Sequence, residues 1–336
     1  MARIGMMLGD PAGVGPEVVA KVLSANRKVP VALFADAEVF ARAQAIAGVR
    51  IDVEPVADSA ASAASDALVT LIDVPLADGE TLKPGIASAQ AGRHTLASLQ
   101  AVAAAAAAGH VNGILYGPLN KQAMKLAGHH ALDEMHYFQE LLNWHEACFE
   151  LINRGPLWTT RVTSHIPMKD VAGAITVERI LEATQIGARA ARAAGVAKPR
   201  IRVAALNPHA GEGGAMGLEE IEVLTPAVAR MKADGLDVEG PFPADTLFRS
   251  ALRGDADLIV TMYHDQGQIA LKTVAFGENV TVLGGMPVPI VTSSQGTAFD
   301  IVGQNKADPS ALQHAFDLVV RLAGVGAAWR GEQVPA

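Results

Sequence analysis

The sequence predicts an α/β protein, on three observations. Short β-type runs recur along the chain, and several are apolar throughout, as strands buried on both faces of a parallel sheet must be. Longer helix-type segments separate them, the alternation that builds crossover α/β units. Half of the 336 residues are apolar and only 18% are charged, ample material for a large core.

In chain order the predicted strands are 3–8, 29–34, 67–74, 113–116, 148–152, 158–163, 201–206 and 257–262. The predicted helices are 16–24, 88–108, 177–194, 218–233 and 309–323. Pro16 and Glu17 suit a first helical turn, where proline loses no bond and a carboxylate meets the positive end of the helix dipole. The alanine runs at 60–64 and 103–108 read as helix filler rather than linker. At roughly 150 residues per domain the length suggests two domains. With no linker between halves, the second is expected as an insertion into the first.

The formal net charge of −8 comes without any Lys/Arg cluster, which argues against nucleic acid as a partner. Cys148 is the only cysteine, so no intrachain disulfide and no cysteine zinc site can form, consistent with a cytoplasmic location. No run of ~20 uncharged apolar residues reads as a membrane span. The N-terminal apolar run is too short for a signal peptide and ends in Asp10 and Pro11.

Three of the ten histidines share a context: each follows a predicted strand. They are His165 in Val-Thr-Ser-His-Ile-Pro, His209 in Leu-Asn-Pro-His-Ala-Gly and His264 in Met-Tyr-His-Asp-Gln-Gly. Open α/β sheets bind ligands beyond the carboxyl ends of their strands, so three imidazoles there could converge on one divalent metal and leave a position open. Each could equally be a hydrogen-bonded loop residue. Asn207-Pro-His-Ala-Gly-Glu-Gly-Gly214 could cradle an anion or be a plain loop, and Glu219 and Glu220 would oppose an anion. Gly9-Asp-Pro-Ala-Gly-Val-Gly-Pro-Glu17 is also a glycine turn between strand and helix, but not the Gly-x-Gly-x-x-Gly dinucleotide fingerprint.

These two segments, with Pro243-Ala-Asp-Thr-Leu-Phe248 and Met262-Tyr-His-Asp-Gln-Gly267, closely resemble the 4-hydroxythreonine-4-phosphate dehydrogenase (PdxA-like) family of vitamin B6 biosynthesis. Gly296-Thr-Ala-Phe-Asp-Ile-Val-Gly303, followed by Lys306-Ala-Asp, is similar to the adenosine-side cofactor segment of isopropylmalate and isocitrate dehydrogenases. The resemblance implies that fold: two α/β domains, here 1–125 with 290–336 and 126–289, and a cleft active site shared in a homodimer. It implies His165, His209 and His264 as ligands of a divalent metal (Zn, Mg, Co or Mn), one supplied across the dimer. It implies NAD or NADP against Gly296, Thr297, Ala298 and Asp300. Lys121 and Asp245 fall on polar motif positions, as proton carrier and orienting acid, or else as a solvated lysine and a helix N-cap. Lys272 falls on the substrate-phosphate lysine. The chemistry implied is oxidation of a secondary alcohol β to a carboxylate, with loss of CO₂ from the keto acid.

The sequence departs from the family pattern around the substrate. Where the family has Gly-His-Thr-Glu, this chain has Asp133-Glu-Met-His136, which puts Glu134 and Met135 on the substrate-contacting positions and His136 two residues on. Ile290 stands at a phosphate-binding arginine, Gln295 at a histidine, and the substrate asparagine falls near Asn279. A lost bidentate arginine and a gained carboxylate disfavour a phosphate. The substrate is then 4-phosphohydroxythreonine or, favoured by those losses, a related acid such as a cis-dihydrodiol carboxylate. The competing class is a catalytically silent, metabolite-binding paralogue; a phosphotransferase has no Walker motif behind it.

Overall fold

The computed structural model describes residues 2–76, 82–274 and 279–331. Two compact units emerge: one runs from the N-terminus to His145 and resumes over Pro287–Gly326, and the other comprises Glu146–Met286 and the chain from Ala327. The first opens with β1 (Ile4–Met7), α1 (Gly15–Ala25), β2 (Val31–Ala35), α2 (Ala37–Ala47), β3 (Glu54–Val56) and α3 (Ser59–Ala64). It continues through β4 (Val69–Asp73), α4 (Ala89–Ala107), β5 (Gly113–Tyr116), α5 (Lys121–Leu126) and α6 (Glu134–Leu141). The second holds β6 (Phe149–Arg154), β7 (Leu157–Arg161), α7 (Val171–Ala174), α8 (Val177–Ala193), β8 (Ile201–Ala204) and α9 (Thr225–Ala233). There follow β9 (Val238–Phe242), α10 (Ala244–Ser250), β10 (Leu258–Thr261), α11 (His264–Val274) and β11 (Val280–Gly284). The chain then returns for β12 (Ile290–Ser293) and α12 (Ser310–Ala323).

The first unit's sheet has the order β3-β4-β2-β1-β5-β12 and is parallel throughout. From β1 the chain moves to β2 on one side and only later to β5 on the other. The carboxyl ends of β1 and β5 therefore flank a topological switch point, where such sheets take ligands. Burial explains the strands: Ile4, Met6, Met7, Leu33 and Ile114 are all but fully enclosed, each contributing about 1.5–3 kcal/mol. Local chemistry sets the helices, with Ser88 accepting from the Ala91 N–H to start α4 and Asp36 from the Val39 N–H to start α2.

The second unit's sheet runs β11-β6-β7-β10-β8-β9. It is mixed, not purely parallel, because β6 pairs antiparallel with both β7 and β11. Strands β7, β10 and β8 lie side by side and parallel, so their carboxyl ends share one edge. Ile152, Leu157, Leu247, Phe248, Ile259 and Leu271 pack its core.

Several sequence expectations need correcting. The helix expected over 218–233 begins as a π-turn, Glu220–Leu224, and becomes α-helical only from Thr225. Pro226 has no N–H to give, which breaks a continuous α ladder there. The first crossing between units falls after His145 rather than at 125, because α5 and α6 belong to the first unit. The tail belongs with the second unit, where Trp329 is buried and its indole N–H donates to Met286 O at 2.8 Å. Strands β3, β9, β11 and β12 were not expected. Among the described residues no helix is long and apolar enough to cross a membrane.

Candidate active site

Each of three neighbouring parallel strands is followed by a histidine: β7 by His165, β10 by His264 and β8 by His209. The imidazoles of His165 and His264 stand 5.5 Å apart between ring centroids. Their loops are tied, since the N–H and hydroxyl of Thr163 both donate to Met262 O, at 3.0 and 2.8 Å. Gln266 ties the third: its Oε1 accepts from the Met262 N–H and its Nε2 donates to Ala205 O beyond β8, both at 2.7 Å. Arg161, buried at the end of β7 and ion-paired with Glu150, donates from Nε to Ser164 Oγ, one residue before His165. His264 is the first residue of α11 rather than a mid-loop residue.

His209 sits on an unusual turn. His209, Ala210, Gly211, Glu212 and Gly213 all have positive φ, between 47° and 79°, a left-handed stretch that includes three residues with a Cβ. Its side chain is 68% exposed, and its Nδ1 lies 2.9 Å from Glu212 Oε2. His264 Nδ1 likewise lies 2.7 Å from Asp265 Oδ1. In both rings Nδ1 faces a carboxylate and Nε2 points away from it, the arrangement seen around metal-ligating histidines. Among the described residues, no three of His, Cys, Asp or Glu from this one chain gather closely enough to hold a metal. His165 and His264 come together; His209 is not gathered with them.

The segment expected to cradle an anion, 207–214, is engaged from within at its first residue. Glu220 Oε1 accepts from the N–H groups of Leu206 and Asn207, both at 2.8 Å, and Asn207 Nδ2 donates to Glu219 and Glu220. At that end of the segment the protein's own carboxylate, Glu220, takes the backbone donors.

In the first unit, Lys121 opens α5 behind the cap Asn120, at the carboxyl end of β5. Its Nζ is 3.7 Å from Glu134 Oε2 in the first turn of α6, and the lysine side chain is 69% exposed. His136 is held back: its Nδ1 contacts Asp133 Oδ1 at 2.6 Å and its N–H donates to the same cap oxygen. Met135 beside it is half-buried. Across the switch point, Asp10 is fully buried. It accepts the Ala12 N–H at 2.8 Å on Oδ1, while Oδ2 has no partner. Burial pushes its carboxyl up to about 6, against the smaller opposing effect of the Ala12 bond.

The remaining candidates are scattered. Asp245 is exposed in the first turn of α10 and is not its N-cap, a place held by Pro243. Lys272 is exposed in the last turn of α11. Asn279 is 2% exposed, its Oδ1 without a partner. Ile290 corrects an expectation: it is wholly buried in β12, paired in register with Ile114, and so serves the core rather than a ligand surface. Of the expected dinucleotide residues, Gly296 and Asp300 are exposed. Thr297 and the left-handed Ala298 (φ 41°) are half-buried and follow β12. Thr297 is tethered, its O accepting from the Val14 N–H at 3.0 Å.

Sequence reasoning missed Gln266, Glu212 and Asp265 as residues that orient the histidine loops, although all three lie inside motifs it quoted. It also gave the buried acids of the β1–α1 turn no role beyond helix initiation.

Two α/β units of this kind, one parallel and one mixed sheet flanked by helices, make up the isocitrate dehydrogenase-like fold. A β-decarboxylating dehydrogenase from Thermococcus kodakarensis shares it (TM-score 0.50, 13% identity, covering 98% of this chain and 88% of that one). The family described as pyridoxal phosphate biosynthetic protein PdxA matches residues 27–319, and the chain belongs to that family. A Pseudomonas aeruginosa protein provisionally named 4-hydroxythreonine-4-phosphate dehydrogenase 2 is 41% identical, over 96% of this chain and 97% of its own length. The D-threonate 4-phosphate dehydrogenase of Pectobacterium atrosepticum is 35% identical, over 95% and 99%. Among solved structures, a 4-hydroxythreonine-4-phosphate dehydrogenase from Klebsiella pneumoniae has a TM-score of 0.82 at 34% identity, covering 96% of this chain and 98% of that one. A terephthalate 1,2-cis-dihydrodiol dehydrogenase from Burkholderia xenovorans has 0.69 at 28%, covering 99% of each.

Proposed function

We propose that this chain is a divalent-metal-dependent NAD(P) dehydrogenase that oxidises a secondary alcohol β to a carboxylate and decarboxylates the product. The observation that carries the reading is the delivery of His165, His264 and His209 to one edge by three adjacent parallel strands. The donor set fits a divalent cation: imidazoles, two of them with Nδ1 against a carboxylate so that Nε2 can ligate. When bound, the cation would stabilise negative charge on the substrate hydroxyl oxygen and the nicotinamide would accept hydride. Lys121 would move the hydroxyl proton, Asp245 would orient the reacting groups, and Lys272 would bind the substrate's acid group. Gly296, Thr297, Ala298 and Asp300 would hold NAD or NADP.

A second copy of the chain fits the same edge. Ile166 and Met168 beside His165, and Met216, Leu218 and Ile221 beyond His209, are exposed apolar side chains between 38% and 64% accessible. A homodimer would cover them and bring a third histidine to a pair from the other copy. The single cysteine suits a reducing compartment such as the cytoplasm.

The substrate is 4-phosphohydroxythreonine or a related acid. With Ile290 in the core, Glu134 is the feature that disfavours phosphate, because its carboxylate competes with an incoming anion for Lys121. That feature favours a non-phosphorylated acid such as a cis-dihydrodiol carboxylate. The test is NAD and NADP reduction with 4-phosphohydroxythreonine, D-threonate 4-phosphate and a cis-dihydrodiol carboxylate, each with and without chelator. Chelator-sensitive turnover of one of them is expected, fastest with the dihydrodiol. Efficient turnover of 4-phosphohydroxythreonine alone would overturn the substrate preference; no turnover and no bound metal would favour a silent metabolite-binding protein.

A further inference from the structure

The turn after β1 leads into an acid that the proposed chemistry does not use. Glu17 is 3% exposed in the first turn of α1. Its Oε1 accepts from two donors, Lys21 Nζ at 2.8 Å and the Ala307 N–H at 3.0 Å, the latter 290 residues away in sequence. Lys21 Nζ also donates to Ala307 O at 2.7 Å. The N–H and the C=O of Ala307 are thus both gripped by one ion pair, its carboxylate buried and its lysine partly exposed. Hydrogen bonds to charged groups are stronger than neutral ones, and a buried pair whose members are further hydrogen-bonded holds its geometry tightly. Glu17 Oε2 is buried without a partner, so the carboxylate serves this junction alone.

The same turn fixes the other end of the segment. The Val14 N–H donates to Thr297 O at 3.0 Å, and a Cβ on Gly13 would lie 3.0 Å from Thr297. Between the two anchors the chain is nearly all turn, with only the short Phe299–Ile301 helical turn, and Ala298 and Asn305 lie in the left-handed region. Internal bonds there are local: Gln304 Nε2 to Asp300 O, and Lys306 Nζ to Gln304 Oε1. Such a segment takes its conformation from its ends.

We propose that Glu17, acting with Lys21, is a positioning residue of the dinucleotide site: it sets the far end of the 297–307 segment without touching the dinucleotide. The proposal rests on the reading of that segment as the NAD(P) site. Calorimetric titration of the full chain with NAD and with NADP tests it, alongside hydrogen exchange at the Ala307 amide. Glu17→Ala is expected to bind the dinucleotide about tenfold more weakly and to lose protection at Ala307. Glu17→Gln, whose amide oxygen still accepts from the Ala307 N–H, is expected to stay within about threefold of wild type. Co²⁺ binding by the histidine edge is expected to be unchanged in both variants, which general destabilisation would not leave intact. Should Glu17→Ala fail to fold, Lys21→Met removes the grip on Ala307 O and is expected to weaken binding in the same direction. Undiminished dinucleotide affinity in these variants, with wild type binding, overturns the proposal alone. A wild-type chain that binds neither NAD nor NADP overturns the reading of the site and the proposal together.

Discussion

The turn after β1 and the turn after β8 make the same passage, strand to helix through glycines, in opposite ways. Gly9–Pro16 is buried at every residue, and three of its backbone donors are engaged by protein: Asp10 N–H on Pro118 O, Ala12 N–H on Asp10, Val14 N–H on Thr297. The turn after β8 engages Glu220 at its start, then presents His209 to solvent on a left-handed backbone. Three residues with a Cβ in that region cost about 1 kcal/mol or more each, and His209 buries little of its side chain in return. One turn is finished as folded and works as scaffold. The other holds strain and an exposed imidazole.

The largest effect should come from the strained turn. His209→Ala is expected to remove metal-dependent turnover, a loss beyond the roughly 10–100-fold typical of outer-sphere partners. Full activity in that variant would break the contrast, since the turn would then be strained for nothing.

The buried turn should speak through pH. Asp10 titrates near 6 when folded, against an ordinary value of 3.8. Between those values the folded chain holds a proton that the unfolded chain has released, so stability falls as pH rises through the window. Above about pH 6 this one group leaves the chain on the order of 3 kcal/mol less stable than below pH 4. Asp10→Asn lacks that slope, and denaturant midpoints of both proteins at pH 4 and pH 7 should diverge accordingly. Parallel pH curves would show that the turn is not closed to water.

Smaller effects sharpen the picture. Glu212→Ala is expected to lower metal affinity by about 10–100-fold while the fold persists, because it removes the partner that fixes His209 Nδ1. Equal affinity would leave Glu212 a surface residue. Smallest of all, Glu134→Gln frees Lys121 from a partly exposed ion pair and should raise kcat/KM for a phosphorylated substrate by up to about fivefold. A fall instead would mean that Glu134 contacts substrate directly.

Much of this was legible in the sequence because it is local. Strand runs such as 113–116, apolar and short, and the capped helix after Ser88 announce themselves, and the histidines stand beside strands that can be found by pattern. What stayed hidden depends on partners distant in sequence. Strand β9 contains Gly240-Pro241, and β3 is three residues long at a sheet edge, so neither carries a pattern strong enough to see. Ile290 reads as a lost arginine in linear alignment and as a core residue once β12 pairs with β5. The grip of Glu17 on Ala307 spans most of the chain, and no local rule could have found it.

The central claim is that His165, His209 and His264, one of them supplied by a second copy of the chain, hold a divalent cation at the edge formed by β7, β10 and β8. Titration of the purified chain with Co²⁺, followed by its visible absorption, tests this most directly alongside His165→Ala, His209→Ala and His264→Ala. The account predicts a single tightly bound ion per chain in the wild type and loss of that site in each variant. Wild-type protein that binds no Co²⁺, or binding unchanged in all three variants, would contradict it.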